Sequence, residues 1–249
     1  MDGRPVRQNV EELPSSPVSI RLALLSGFVL LHDGCQKQLP LSAQRLVAFL
    51  ALRDRPVLRD HVAGSLWLDA PADRANANLR SALWRVRTAC RPLIQTTRVT
   101  LQVAPDVVLD IRQLVEMADR LADPVGTFGE VDLAGIAFGG DLLPDWYDEW
   151  VIMERERLRQ VRLHALESLC DRLVSAKRGA DAVQAGLAAV AAEPLRESAH
   201  RALIRAHVAE GNAGEALRQY ALYERLVRKE LGLHPSPLME SLISGLRRS

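Results

Sequence analysis

The sequence predicts a mainly α protein with a small β part: a mixed domain of short strands and three helices, followed by an all-α domain. Three observations carry this. Residues 18–110 mix short apolar runs and β-branched stretches with helical periods, whereas the chain after Asp110 reads as almost continuous helix broken at Pro124, Gly139-Gly140, Pro144, Gly179, Pro194, Gly211, Gly232 and Pro235. At 249 residues and 48% hydrophobic, the chain can bury two cores. Charge also divides: residues 18–110 hold 12 basic and 7 acidic side chains, and residues 111–249 hold 18 and 21. A basic module joined to a mildly acidic one points to a polyanion as the partner of the first.

The elements follow in order. Residues 1–17 combine Pro, Ser and acids without an apolar core, which predicts a disordered arm and no secretory signal. SIRLALLSGFVLLHDGCQKQLPL (residues 19–41) alternates in short runs broken at Gly27, Asp33-Gly34 and Pro40, as two or three strands do. In LSAQRLVAFLALR (residues 41–53), Leu46, Phe49 and Leu50 keep the helical period and Ser42 is a plausible N-cap. A second helix is expected from about Arg59 to Leu66. A third opens after Pro71 and closes before Pro92, where the ring and the missing amide disfavour continuation. LIQTTRVTLQVAPDVVLD (residues 93–110) then reads as a hairpin plus a strand. Strands, three helices and a hairpin are the order of a winged helix-turn-helix.

The third helix carries the functional signal. RANANLRSALWRVR (residues 74–87) has four arginines and no acid. At 100 degrees per residue, Ala75, Leu79, Ala82, Leu83, Val86 and Cys90 fall within about 100 degrees, a buried stripe. Arg74, Ala77, Asn78, Arg80, Ser81, Trp84, Arg85 and Thr88 cover the far side, with Arg87 at the border. Such a face is commonly only solvated. Against that reading, the acids that would form i, i+4 pairs are missing, the helix N-terminus offers amides to a phosphate, and the helix lies where a recognition helix should. Arg80, Arg85 and Arg87 are assigned to phosphates; Asn78 and Ser81, with Arg74 or Trp84, are assigned to base edges. Arg98, at the proposed wing, is a candidate for backbone or minor-groove contact. The partner expected is double-stranded DNA.

The second domain, residues 111–249, shows an internal repeat. Ala182 and Ala216 lie 34 residues apart, each opening a helix after a Gly-containing turn, which is the tetratricopeptide period. Ala216, Tyr220, Tyr223 and Val227 share one face, read as packing. Trp146 and Trp150 read as anchors of the long helix.

No catalytic or metal constellation emerges, and no cofactor is expected. Asp141, Asp145, Asp148 and Glu149 gather in GGDLLPDWYDEW, where Asp145 after Pro144 suits a helix start. His200 and His207 stand seven apart without further ligands at metal spacing. Cys35, Cys90 and Cys170 are odd in number and far apart, which predicts reduced thiols in a cytoplasm, all three as small core residues. The apolar run Leu22 to Leu31 is half the ~20 residues of a membrane span, so a soluble protein is expected.

GGDLLPDWYDEWVIMERERLR (residues 139–159) and EPLRESAHRALIRAHVAEGNAGEALRQYALYERLVRKELGLHPSP (residues 193–237) closely resemble the bacterial transcriptional activator domain of the SARP family. PLRESAH and ELGLHPSP are among the more specific strings, and the resemblance covers roughly residues 18–248. In that family the helical domain follows an OmpR-like winged helix. The resemblance implies a sequence-specific activator of antibiotic-type pathways, binding direct repeats upstream of promoters, commonly as a homodimer, and assisting RNA polymerase through its sigma subunit. The proposed wing turn TTRVT lacks the Gly-aromatic tip frequent in the family. No Walker A pattern occurs, and no receiver domain is expected ahead of the winged helix. The rival reading is a tetratricopeptide-like adaptor whose first domain does not read DNA; it predicts that removing Arg80 and Arg85 leaves function intact.

Overall fold

A computed structural model describes residues 19–123 and 140–246. The arm expected over residues 1–17 and the breaks at Pro124 and Gly139 lie outside the described residues. The chain divides into two compact units: one contains residues 19–22 and 29–108, the other residues 23–28 and 109–246.

The first unit opens with β1 (Ile20–Ala23), β2 (Val29–His32) and β3 (Cys35–Gln36). The β2–β3 hairpin turns through Asp33 (φ 49°) and Gly34 (φ 75°), the paired left-handed residues of a type I′ turn. Helices α1 (Leu41–Ala51), α2 (Arg59–Leu66) and α3 (Ala72–Ala89) follow, with β4 (Val57–Leu58) between the first two. β5 (Ile94–Thr96), β6 (Thr100–Val103) and β7 (Val108–Leu109) complete the strands. Two small sheets result, ordered β3-β2-β1-β7 and β4-β6-β5. The second is antiparallel and sets Val57 opposite Leu101 and Thr96 opposite Leu101 on the other side. This is a winged helix, with β5–β6 as the wing.

The structure moves two local expectations. Helix α1 begins at Leu41, so Ser42 lies inside it. Pro40 takes the N-cap position, where its carbonyl accepts the amides of Ala43 and Gln44 at 2.9 and 3.0 Å and its fixed φ of −62° suits a helix entry. Cys90 and Cys170 are buried, but Cys35 is exposed, because the short β3 edge strand leaves both of its residues on the surface.

The second unit contains α4 (Asp110–Ala122), α5 (Glu149–Ser175), α6 (Gly179–Ala192), α7 (Glu197–Ala209), α8 (Ala213–Leu231) and α9 (Pro237–Leu246). Each helix from α4 to α8 packs on its successor and α5 also packs on α7, the stacked helical hairpins of a tetratricopeptide-like array. The core is built from small residues: Ala182, Ala185, Ala189, Ala199, Ala202 and Ala206 are fully buried. Gly186 shows why. A Cβ added there would stand 2.9 Å from Leu203 Cα, so α6 and α7 approach closer than any side chain would permit.

The strings PLRESAH and ELGLHPSP become one polar network. Glu197 accepts hydrogen bonds from Arg201 (2.9 Å), from the Ser236 amide (2.8 Å) and from the Ser236 hydroxyl, and it receives Tyr223 Oη at 3.4 Å. Buried His200 donates from Nε2 to the Pro194 carbonyl (2.9 Å), so its Nδ1 accepts from Gln219 (2.8 Å), and its ring packs 4.6 Å from that of Tyr223. Burial holds the His200 pKa below the ordinary value, which favours the neutral ring expected of a core residue. Gly232, at φ 67°, ends α8 in the left-handed conformation and lets the chain turn back toward Glu197.

The face of Ala216, Tyr220, Tyr223 and Val227 packs as expected into the core shared with Met239 and Ile243. Trp146 and Trp150 meet edge to face at 6.4 Å, and Trp146 stacks on Phe28. The acidic cluster needs correction: α5 starts at Glu149, Asp148 takes its N-cap position, and Asp145 lies in the preceding turn, which closes when the Trp146 amide reaches the Leu143 carbonyl (3.0 Å). Among the described residues no helix is long and apolar enough to cross a membrane.

Candidate nucleic-acid interface

Helix α3 buries the stripe that its periodicity requires. Ala75, Leu79, Ala82, Leu83, Val86 and Cys90 are all buried, facing α1 and α2. Its other face is open: Arg74, Arg80, Ser81, Trp84, Arg85 and Arg87 are exposed and Asn78 is half-buried. Trp84 is 67% exposed, a large apolar ring left in water on a helix that otherwise buries its apolar residues well. Ser81 Oγ donates back to the Ala77 carbonyl (3.1 Å) and Thr88 Oγ1 to Trp84 (3.0 Å), so both hydroxyls offer acceptor rather than donor capacity to a partner.

The structure sorts these side chains into groups. Arg80, Trp84, Arg87 and Thr88 line a depression of about 580 Å³ together with Arg59, Arg91 and Thr96. Arg74 lines a smaller one, about 370 Å³, with Arg45, Trp67 and Asp69. Asn78, Ser81 and Arg85 line neither. Sequence reasoning missed Arg59, Arg91 and Thr96. Arg91 lay just past the helix in a chain segment already conspicuous for its bases. Arg59 carried no such signal: it opens α2, and its position follows from the bond of its amide to the Val99 carbonyl (2.9 Å) beside the β4–β6 pairing.

Arg98 is exposed at the wing tip. The turn there needs no glycine, because the Thr97 hydroxyl accepts from the amides of Val99 (3.2 Å) and Thr100 (2.9 Å) while the Thr97 amide donates to the Thr100 carbonyl (3.0 Å). Across the strands behind it, Gln102 donates to Gln95 at 2.6 Å. The wing is thus short and internally braced.

Electrostatics distinguish the two units. In the helical unit, arginines are paired: Arg157 with Glu154 (2.7 Å), Arg196 with Glu167 (2.6 Å), Arg201 with Glu197 (2.9 Å) and Arg205 with Asp171 (2.7 Å). Among the described residues, Arg59, Arg74, Arg80, Arg85, Arg87, Arg91 and Arg98 form no ion pair. The first unit thus concentrates arginines that have no carboxylate within ion-pair distance among the described residues.

A small basic winged helix followed by a stacked helical array defines a class of bacterial regulator. Residues 106–247 match the bacterial transcriptional activator domain, and the chain belongs to that family, as a transcriptional regulator of the SARP type. It is 28% identical over 260 residues to the regulatory protein AfsR of Streptomyces coelicolor, covering 97% of this chain and 26% of that protein. With AfsR of Streptomyces griseus the identity is 27% over 263 residues, covering 99% and 26%. The chain therefore spans about a quarter of the length of these relatives. The fold is similar to that of Mycobacterium tuberculosis EmbR, solved in complex with a low affinity phosphopeptide, with a TM-score of 0.77 at 19% identity over 93% of this chain and 65% of that one.

Proposed function

We propose that this regulator is a sequence-specific DNA-binding activator that seats α3 in a major groove and braces the duplex with the β5–β6 wing. The observation that supports this most is the set of arginines on and around α3 without carboxylate partners among the described residues, whereas Arg157, Arg196 and Arg205 of the second unit each sit on a carboxylate. Attraction to the polyanion brings the face to DNA, and release of condensed counterions drives binding. Arg80, Arg85 and Arg87 hold phosphates, while Asn78 and Ser81, with Arg74 or Trp84, face bases. Arg98 reaches a backbone or minor groove at the wing. Pro71 at the N-cap of α3 supplies no side-chain cap, so the first amides of the helix remain available to a phosphate oxygen.

The same reading takes the operator to be direct repeats upstream of a promoter, bound by a homodimer, with the helical unit assisting RNA polymerase through its sigma subunit at a biosynthetic or secondary-metabolite operon. These finer points rest on the resemblance to the SARP family. The deciding experiment is fluorescence-anisotropy binding to the protein's own upstream DNA and to a scrambled duplex, with wild type and Arg80→Ala/Arg85→Ala. The expected result is tighter binding to the upstream DNA, weakened strongly in the double variant. Equal binding to both duplexes, indifferent to the arginines, overturns the reading in favour of an adaptor that binds protein through its helical array.

A further inference from the structure

The helical unit contains a cavity of about 720 Å³, within the ~300–1,000 Å³ range of small-molecule sites. Leu25, Leu114, Leu142, Leu158, Leu187 and Ala188 supply most of its apolar wall. Three arginines, Arg155, Arg159 and Arg162, also line it, against one carboxylate, Asp141. An apolar hollow lined by three arginines is an unusual feature of a helical array in which Arg157, Arg196, Arg201 and Arg205 each sit on a carboxylate.

Arg155 is the best-built of the three. Its Nε donates to the Leu142 carbonyl (2.8 Å) and its Nη2 to the carbonyls of Leu143 (2.6 Å) and Trp146 (2.9 Å). Three of the five guanidinium N–H donors are thereby committed to backbone, which locks the plane of the group and leaves its Nη1 pair. Among the described residues no carboxylate pairs with Arg155. Arg159 differs, being held by Glu156 (2.8 Å) and Glu193. Arg162 is half-buried, and loss of hydration pushes its pKa below the ordinary value, opposed by the nearby charge of Asp141.

From this geometry we infer that the cavity binds a small amphipathic carboxylate, its anionic head on Arg155 and its apolar body along the α5–α6 wall. The Nη1 donors of a guanidinium held in place by backbone suit one carboxylate oxygen, and a charge-assisted bond inside an apolar hollow is stronger than at the surface. With Nε and Nη2 committed, Arg155 keeps donors for one carboxylate oxygen rather than for the several oxygens of a phosphate dianion. The lining charge selects against cations, and the apolar wall against small polar acids. The inference goes beyond the DNA reading and stands or falls apart from it, since its measurement involves no DNA.

The test is a fluorescence titration of the full chain with 11-(dansylamino)undecanoate and, in parallel, with its methyl ester. The acid should bind one per chain and at least about tenfold tighter than the ester, the worth of one charge-assisted bond. Arg155→Lys keeps a charge but loses the preoriented Nη1 donors. It should weaken the acid at least about fivefold and leave the ester unchanged. Arg155 also braces the backbone, so a second variant is needed that leaves it alone: Ala191→Trp, at an exposed position on the cavity wall, should abolish binding of both probes while far-UV circular dichroism and Tm stay at wild-type values. Absence of binding by the acid, equal affinity for acid and ester, or undiminished binding by a folded Ala191→Trp chain would each overturn the inference.

Discussion

Removing Arg80 and Arg87 together tests the interface at the level of charge. The two side chains line the same depression with Arg59 and Arg91, and none of the four has a carboxylate partner among the described residues. If each neutralises one phosphate, the cluster contributes about 3.6 to the slope of log K against log salt, at roughly 0.9 per contact on duplex DNA. Arg80→Ala/Arg87→Ala should lower the measured slope by about 1.8. The variant's affinity deficit should then be about twelvefold larger at ~50 mM than at ~200 mM salt. Anisotropy titrations at four or five salt concentrations measure this directly. Arg205→Ala/Arg218→Ala is the control, because those arginines already sit on Asp171 and Glu215. A slope that does not move in the α3 variant, or moves as much in the control, would refute the assignment of these arginines to phosphates.

Three further outcomes are expected. Asn78→Ala should weaken binding to the preferred duplex by about 1–3 kcal/mol while leaving the scrambled duplex nearly unaffected, read as a ratio of dissociation constants; a loss shared equally by both duplexes would move Asn78 from base reading to phosphate contact. Glu197→Gln should destabilise the helical unit by about 2–3 kcal/mol in urea unfolding, since charge-assisted bonds to Arg201 and Ser236 are weakened together. The hydrogen bonds of Ser236 and the charge of Arg201 hold the Glu197 carboxyl below its ordinary pKa against the opposing effect of burial. Its share of stability is therefore complete above the unfolded-state pKa near 4.5 and is lost as pH falls through the lower folded value, a difference that the Gln variant should lack. Gly186→Ala should lower Tm, because the added Cβ meets Leu203 Cα and Cβ at 2.9 and 3.0 Å, and overpacking of about 1–3 kcal/mol exceeds the ~1 kcal/mol gain in helix propensity; an unchanged or higher Tm would mean that α6 can move away freely.

Much of this molecule was legible in one dimension. The order of elements apart from β4, the described breaks from Gly179 onward and the buried stripe of α3 follow from local rules, namely the 3.6-residue period and the conformations open to Gly and Pro. Ala75, Leu79, Ala82, Leu83, Val86 and Cys90 are buried as the period demands. The 34-residue spacing of Ala182 and Ala216 likewise foretold the stacked array, since small residues recur where helices must come close. The exposed position of Cys35 and the Pro40 cap of α1 were not legible, because a two-residue edge strand and a backbone cap leave almost no compositional trace.

Tertiary structure alone decided what gathers around each site. β4 is two residues long and its pairing with β6 spans more than forty residues of chain, so no periodic signal could announce that Arg59 joins Arg80, Arg87 and Arg91. The same holds for PLRESAH and ELGLHPSP, which are separate strings until Glu197 meets Ser236. Arg155 looks, in sequence, like any arginine in an ERER run; only the folded turn from Leu142 to Trp146 supplies the three carbonyls that orient it. Sequence by itself determined which faces are apolar and which basic, because those depend on neighbours three and four residues away. Which charges share a cleft depends on neighbours distant along the chain, and that is settled by how the burial of all the stripes is satisfied at once.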